Sequence, residues 1–200
     1  MTTNHNTHEK SKQRVRDYGE VFTPSHIVDK MCDMVPENVW KDPTYIYLEP
    51  TCGTGNFLVA ILQKRIDTGM PLNKALNTLW GMDILSDNIY DSQVRLCEIV
   101  IKKMRNAKKG GPGSDWWRTR ACHYVAIIEN NIFVVKDSLE YMSSGKFDDK
   151  KFVFEDPTGN ENVMSDEESQ DIVDNLLTRY DKLRIINKSK QTNDILSMFI

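Results

Sequence analysis

The chain has 200 residues, carries 26 Lys and Arg against 29 Asp and Glu for a formal charge of −3, and is 40% hydrophobic. That length supports one domain with a real core, and the charge balance excludes a protein that coats nucleic acid non-specifically. No apolar run reaches the roughly 18 residues of a membrane helix, the N-terminus lacks the apolar stretch of a signal peptide, and Cys32, Cys52, Cys97 and Cys122 form neither a CxxC pair nor a Cys/His cluster.

The expectation is a cytoplasmic protein with reduced thiols, no membrane span and no metal. Residues 1–17 are polar without apolar periodicity and are expected to be a flexible N-terminus ahead of one domain over 18–200. Gly19-Glu-Val-Phe-Thr-Pro-Ser25 reads as a turn or extended lead-in, with Pro24 biasing Thr23 away from helix. Ile27, Val28, Met31, Met34 and Val35 then recur at helical spacing up to Pro36. Tyr45-Ile-Tyr-Leu-Glu49 predicts the first strand, Cys52-Gly-Thr-Gly55 a tight turn, and Phe57 to about Arg65 a helix.

A second strand is predicted over 79–84. Ser86 or Asp87 then caps a long helix whose marked face is Val94, Cys97, Ile101 and Met104. Lys108-Lys-Gly-Gly-Pro-Gly-Ser114 breaks it as a flexible loop, and 116–128 resumes as helix. Residues 131–137 predict a third strand and 151–155 a fourth. A helix over 169–180 with Ile172, Val173, Leu176 and Leu177 as its stripe follows, then a short strand over 183–186. Strands alternating with helices define an α/β class with a mostly parallel sheet.

Charge is unevenly placed. From Lys102 to Arg120 there are seven basic residues and one acid, Asp115, with Trp116 and Trp117 among them. Such a stretch either tracks a phosphate backbone and stacks on bases or is a solvated helix face. Residues 140–181 carry twelve acids against four bases, which suits a basic partner as well as an ordinary acidic surface. The histidines, His5, His8, His26 and His123, are scattered and suggest neither a metal site nor a general base.

A parallel sheet binds ligands at the carboxyl ends of its strands. Those positions hold Glu49, Pro50, Gly53 and Gly55 after the first strand, Asp83 after the second and Asp137 after the third. The two glycines allow close approach of backbone to a nucleotide-like ligand, and Glu49 is placed to accept from a cationic group. Asp83, one βαβ unit on, suits a pair of ribose hydroxyls or a helix cap; Asp137 suits an adenine amine or a cap.

With Gly19-Glu-Val-Phe-Thr-Pro24 upstream, Glu49 to Phe57, Gly81-Met-Asp-Ile84 and Asp137, the chain from about residue 19 to 140 resembles the S-adenosylmethionine-dependent DNA adenine-N6 methyltransferases of restriction-modification systems, in the γ-group motif order. The resemblance implies a Rossmann-like sheet, shortened on its C-terminal side. It also implies that Phe22, Thr23 and Pro24 cover the methionine end of the cofactor, which Glu49, Pro50, Gly53, Gly55, Asp83 and Asp137 complete. The family's Asn/Asp-Pro-Pro-Tyr/Phe motif holds the target amine and stacks on the flipped base. Here it is matched by Asp156-Pro-Thr-Gly159 alone, with Asp156 and Pro157 kept and Thr158 and Gly159 in place of the second proline and the aromatic. Read from residue types alone, the same four residues favour a β-turn. Three functions stand as expectations: a DNA adenine methyltransferase, a catalytically inactive derivative that binds a partner protein or the cofactor, and one piece of an enzyme completed by another chain. DNA through the basic stretch and a protein partner or second copy are the expected partners.

Overall fold

The computed structural model describes residues 11–105 and 115–147. In chain order these form α1 Lys12–Tyr18, α2 Ser25–Asp33, α3 Glu37–Lys41, β1 Tyr47–Glu49, α4 Asn56–Asp67 and α5 Leu72–Asn77, then β2 Leu79–Asp83, α6 Ser86–Arg105, α7 Asp115–Asn131, β3 Ile132–Val134 and α8 Ser138–Ser143. The three strands make one parallel sheet in the order β1-β2-β3, with Glu49 beside Gly81 and Asp83 beside Val134. This is the α/β class with a parallel sheet, its crossovers carried by α4 and α5 and then by α6 and α7.

β2 is central, and Leu79, Trp80, Gly81 and Met82 are all buried, as a strand covered on both faces requires. Trp80 meets Phe147 edge-on at 5.2 Å. The other face receives α4 and α6 through Leu58, Leu62, Leu96 and Val100. Gly81 lets α4 approach, since a Cβ there would stand 2.8 Å from Leu58 Cδ1. A second cluster of Val28, Cys32 and Trp40 seats α2 and α3 against α4 and the Tyr47 ring of β1, where Trp40 stacks on Tyr47 at 5.2 Å and the buried Arg65 guanidinium lies 4.8 Å from the Tyr47 ring centre.

Several expectations are corrected. Residues 12–18 form a helix, capped by Ser11 and by left-handed Gly19, where no regular element was expected. α1 buries none of its residues, so apolar periodicity gave no sign of it. α3 and α5 were also missed; each has at most six residues and starts just after a proline, Pro36 or Pro71, too short to show a period. The buried face of α6 is Ile89, Leu96, Cys97, Val100, Ile101 and Met104, while Val94 is half-buried. The third strand is only Ile132–Val134; Asn131 still belongs to α7, and Asp137 is already the N-cap of α8. The glycine-rich loop at 108–114, the fourth strand, the helix over 169–180, the strand over 183–186 and residues 1–10 lie outside the described residues.

All four cysteines are free. Among the described residues no helix is long and apolar enough to cross a membrane, and no three His, Cys, Asp or Glu side chains converge as a metal site would require.

Candidate functional site

At the carboxyl ends of the three strands lies a cleft of about 550 Å³. Its walls are the 19–23 segment, the turn after β1, the end of β2 and residues 135–139.

The turn is built by hydrogen bonds and by pressure from both sides. Cys52 N–H donates to the Met82 carbonyl at 2.8 Å, tying the turn to β2, and Gly55 N–H donates to the Cys52 carbonyl at 2.8 Å. Gly53 and Gly55 have φ of 53° and 82°, conformations that a Cβ resists. A Cβ on Gly53 would stand 3.1 Å from the Phe22 ring, and one on Gly55 2.9 Å from Ser92 Oγ. The glycines are thus needed because an aromatic lies on the turn from one side and α6 from the other.

Several polar groups of this turn are already engaged within the protein. Gly53 N–H donates to Asp83 Oδ2 at 2.9 Å, and Leu85 N–H to Asp83 Oδ1 at 2.9 Å. Ser92 Oγ donates to the Gly53 carbonyl at 2.9 Å, while Arg95 donates to the Thr54 carbonyl at 2.6 Å and to Asn56 Oδ1 at 2.8 Å. Asn56 in turn donates to the Thr23 carbonyl at 2.8 Å and fixes the segment that carries Phe22. In a dinucleotide fold a glycine turn at a helix start leaves its N–H groups free for phosphate. Here the Gly53 N–H is held by a carboxylate of the protein itself.

The lining is acidic: Glu20, Glu49, Asp83 and Asp137 against Lys136. Glu20 is matched by Arg14, with contacts of 2.7 and 2.6 Å. Burial pushes the Glu49 carboxyl above its ordinary range, against hydrogen bonds from Thr51 that pull it down. The Cys52 thiol, buried and close to Asp83, is pushed up to about 12 and is no nucleophile. Four apolar side chains, Tyr18, Val21, Ile84 and Leu139, also line the cleft and stay solvent-exposed, Leu139 by 80% and Val21 by 65%.

Of the residues expected to hold a cofactor, Phe22, Thr23, Glu49, Pro50, Gly53, Asp83 and Asp137 line this one cleft. Pro24 sits outside it as the residue before α2, and Gly55 lies behind the turn at the start of α4. Asp137 accepts from Glu140 N–H at 3.0 Å and so caps α8 while facing the cleft. Asp156 and Pro157 fall outside the described residues; Lys102 and Lys103 are exposed on α6 and do not line the cleft.

No protein-family model, no curated protein and no solved structure matches the chain.

Sequence reasoning missed Arg14, Glu20, Asn56, Asn88, Ser92 and Arg95. A signal for three of them is present: Asn88, Ser92 and Arg95 are spaced as i, i+4 and i+7 on α6, a polar stripe along the face turned to the end of β2 and the glycine turn.

Proposed function

We propose that the cleft binds S-adenosylmethionine and that the protein is a DNA adenine-N6 methyltransferase-like protein of Rossmann-like fold. The observation that carries the cofactor reading is the occupied glycine turn. With Asp83 on the Gly53 N–H and further carboxylates around it, the cleft repels phosphate and favours a nucleoside-type ligand that is cationic and phosphate-free.

S-adenosylmethionine has that chemistry: a sulfonium and an ammonium group, a ribose, an adenine and no phosphate. Glu49 would hold positive charge, and Asp83, fixed by Gly53 and Leu85, would present its remaining lone pairs to ribose hydroxyls. Phe22 would cover the turn, and exposed Ile84 and Leu139 would bury apolar surface against a flat ring. The cofactor supplies the methyl group. The chain's part in transfer is to orient the adenine amine, which the resemblance assigns to Asp156 and the carbonyl of Pro157.

Calorimetric titration with S-adenosylmethionine tests the first half: saturable one-to-one binding is expected, with no competition from ATP or a nicotinamide dinucleotide. No binding by calorimetry and by a second method would remove the cofactor reading. Transfer of labelled methyl to DNA tests the second half, and Asp156→Ala is expected to abolish transfer while sparing binding. A second reading rests on Thr158 and Gly159, which stand where a proline and a stacking aromatic are expected. Binding without transfer would make this a non-catalytic relative that acts on a partner protein or on the cofactor pool.

A further inference from the structure

The cleft's outer wall is not held by a core. α1 buries none of its residues, and the 19–23 segment that follows has no regular structure. Among the described residues, the α1 side chain that ties this wall to α6 is Arg14, while Asn56 holds the far end of the segment through the Thr23 carbonyl. The left-handed cap at Gly19, φ 66°, turns the chain back after α1 and brings Glu20 beside Arg14. Arg14 then grips Glu20 with Nε and Nη2 at 2.7 and 2.6 Å, the paired geometry that suits guanidinium and carboxylate. It also reaches across 73 positions of sequence to α6, meeting Asp87 at 2.6 and 3.2 Å and Asn88 Oδ1 at 3.2 Å.

The contacts continue inward. Asn88, 1% exposed, donates to Glu20 Oε1 at 2.7 Å and to Asp83 Oδ1 at 3.3 Å, and Asp83 holds the Gly53 N–H at 2.9 Å. A continuous polar chain therefore runs from α1 through Glu20, Asn88 and Asp83 to the glycine turn. The same 19–23 segment carries Phe22, whose ring lies on Gly53.

We propose that Arg14 is a positioning residue for the cleft: it latches α1 and the 19–23 segment to α6, so that the wall carrying Phe22 and the Asp83 carboxylate are set before a ligand arrives. This rests on the reading of the cleft as an S-adenosylmethionine site for its ligand, though not for the latch itself. Ligand binding then does not have to order the wall, and the gain is affinity through preorganisation. Arg14 lies outside the hydrophobic core, so its replacement is expected to loosen the wall without unfolding the domain.

Two measurements on the full chain separate the latch from the ligand. Amide hydrogen exchange needs no ligand: Arg14→Ala is expected to speed exchange in residues 19–23 and at the Gly53 amide, with β2 unchanged. Unchanged exchange at both places overturns the latch whatever the cleft binds. Stopped-flow binding of S-adenosylmethionine reads the consequence. Arg14→Ala is expected to dissociate about tenfold faster with association nearly unchanged. Arg14→Lys, which keeps the charge but loses the fork, is expected to fall between wild type and Arg14→Ala. A variant that lost binding-competent fraction at an unchanged dissociation rate would show a merely structural role. If wild type binds no S-adenosylmethionine while exchange responds as stated, the cofactor reading fails and the latch stands.

Discussion

The two ends of the central strand carry polar clusters of opposite design. At its amino end, Asn73, Asn77, His123 and Asn131 form a mainly neutral, largely buried group. Asn131 donates to the carbonyls of Leu76 and Leu79 at 3.0 and 3.2 Å, Asn77 to that of Asn73 at 3.0 Å, and His123 Nε2 lies 2.8 Å from Asn73 Oδ1. At the carboxyl end, the acidic side chains of Glu49, Asp83 and Asp137 line an open cleft. The amides close the ends of α5 and β2 from within. The carboxylates shape backbone too, yet each still faces the cleft. A buried amide with satisfied partners serves stability, whereas a part-buried carboxylate facing a cleft keeps capacity for a ligand.

The largest effect is expected where that contrast is broken at the stability end. Asn131→Leu keeps the volume and removes the donor to two buried carbonyls, which should cost about 2–4 kcal/mol. Urea unfolding reads the loss, and S-adenosylmethionine affinity per folded molecule should not change. A loss under about 0.5 kcal/mol, the range of an ordinary surface change, would show that the cluster is replaceable. Next comes Asp83→Ala, expected to lower cofactor affinity about 30- to 100-fold through lost charge-assisted hydrogen bonds, with a smaller stability loss than Asn131→Leu. Unchanged affinity would remove the ribose assignment.

How much of this was legible follows from what each residue answers to. Gly53 and Gly55 were readable because positive φ leaves a mark in composition, and the strand-end acids because a parallel sheet puts its ligands at one edge. For Asp83 and Asp137, ligand contact and capping were set as alternatives; the geometry gives both acids backbone N–H partners while leaving them on the cleft. A strand-end acid is also a helix-start acid, so the two roles do not compete. Arg14 and Glu20 were illegible for a different reason. Their pairing depends on the Gly19 reversal and on α6 arriving beside α1, and neither leaves a period in the sequence. α3 and α5 are too short to leave one either.

The smallest expected effect sharpens the carboxyl end most. Burial raises the Glu49 carboxyl above its ordinary range, so folding makes its ionised form less favourable than it is in the unfolded chain. The folded state then binds this proton more readily than the unfolded chain does. Glu49 therefore subtracts stability at pH above its raised folded value, and that penalty disappears as pH falls towards the ordinary glutamate range. A cationic ligand reverses the preference, since it stabilises the carboxylate and drives the proton off. Cofactor affinity should accordingly weaken as pH falls through the raised value, with proton uptake by the free protein as the cause. Glu49→Gln should abolish this pH dependence, lower affinity about tenfold at neutral pH and melt no lower than wild type. Titrations at several pH values in buffers of different ionisation heat measure both affinity and proton release. An unchanged pH profile in Glu49→Gln would place the cation elsewhere in the cleft, beside Asp83 or Asp137.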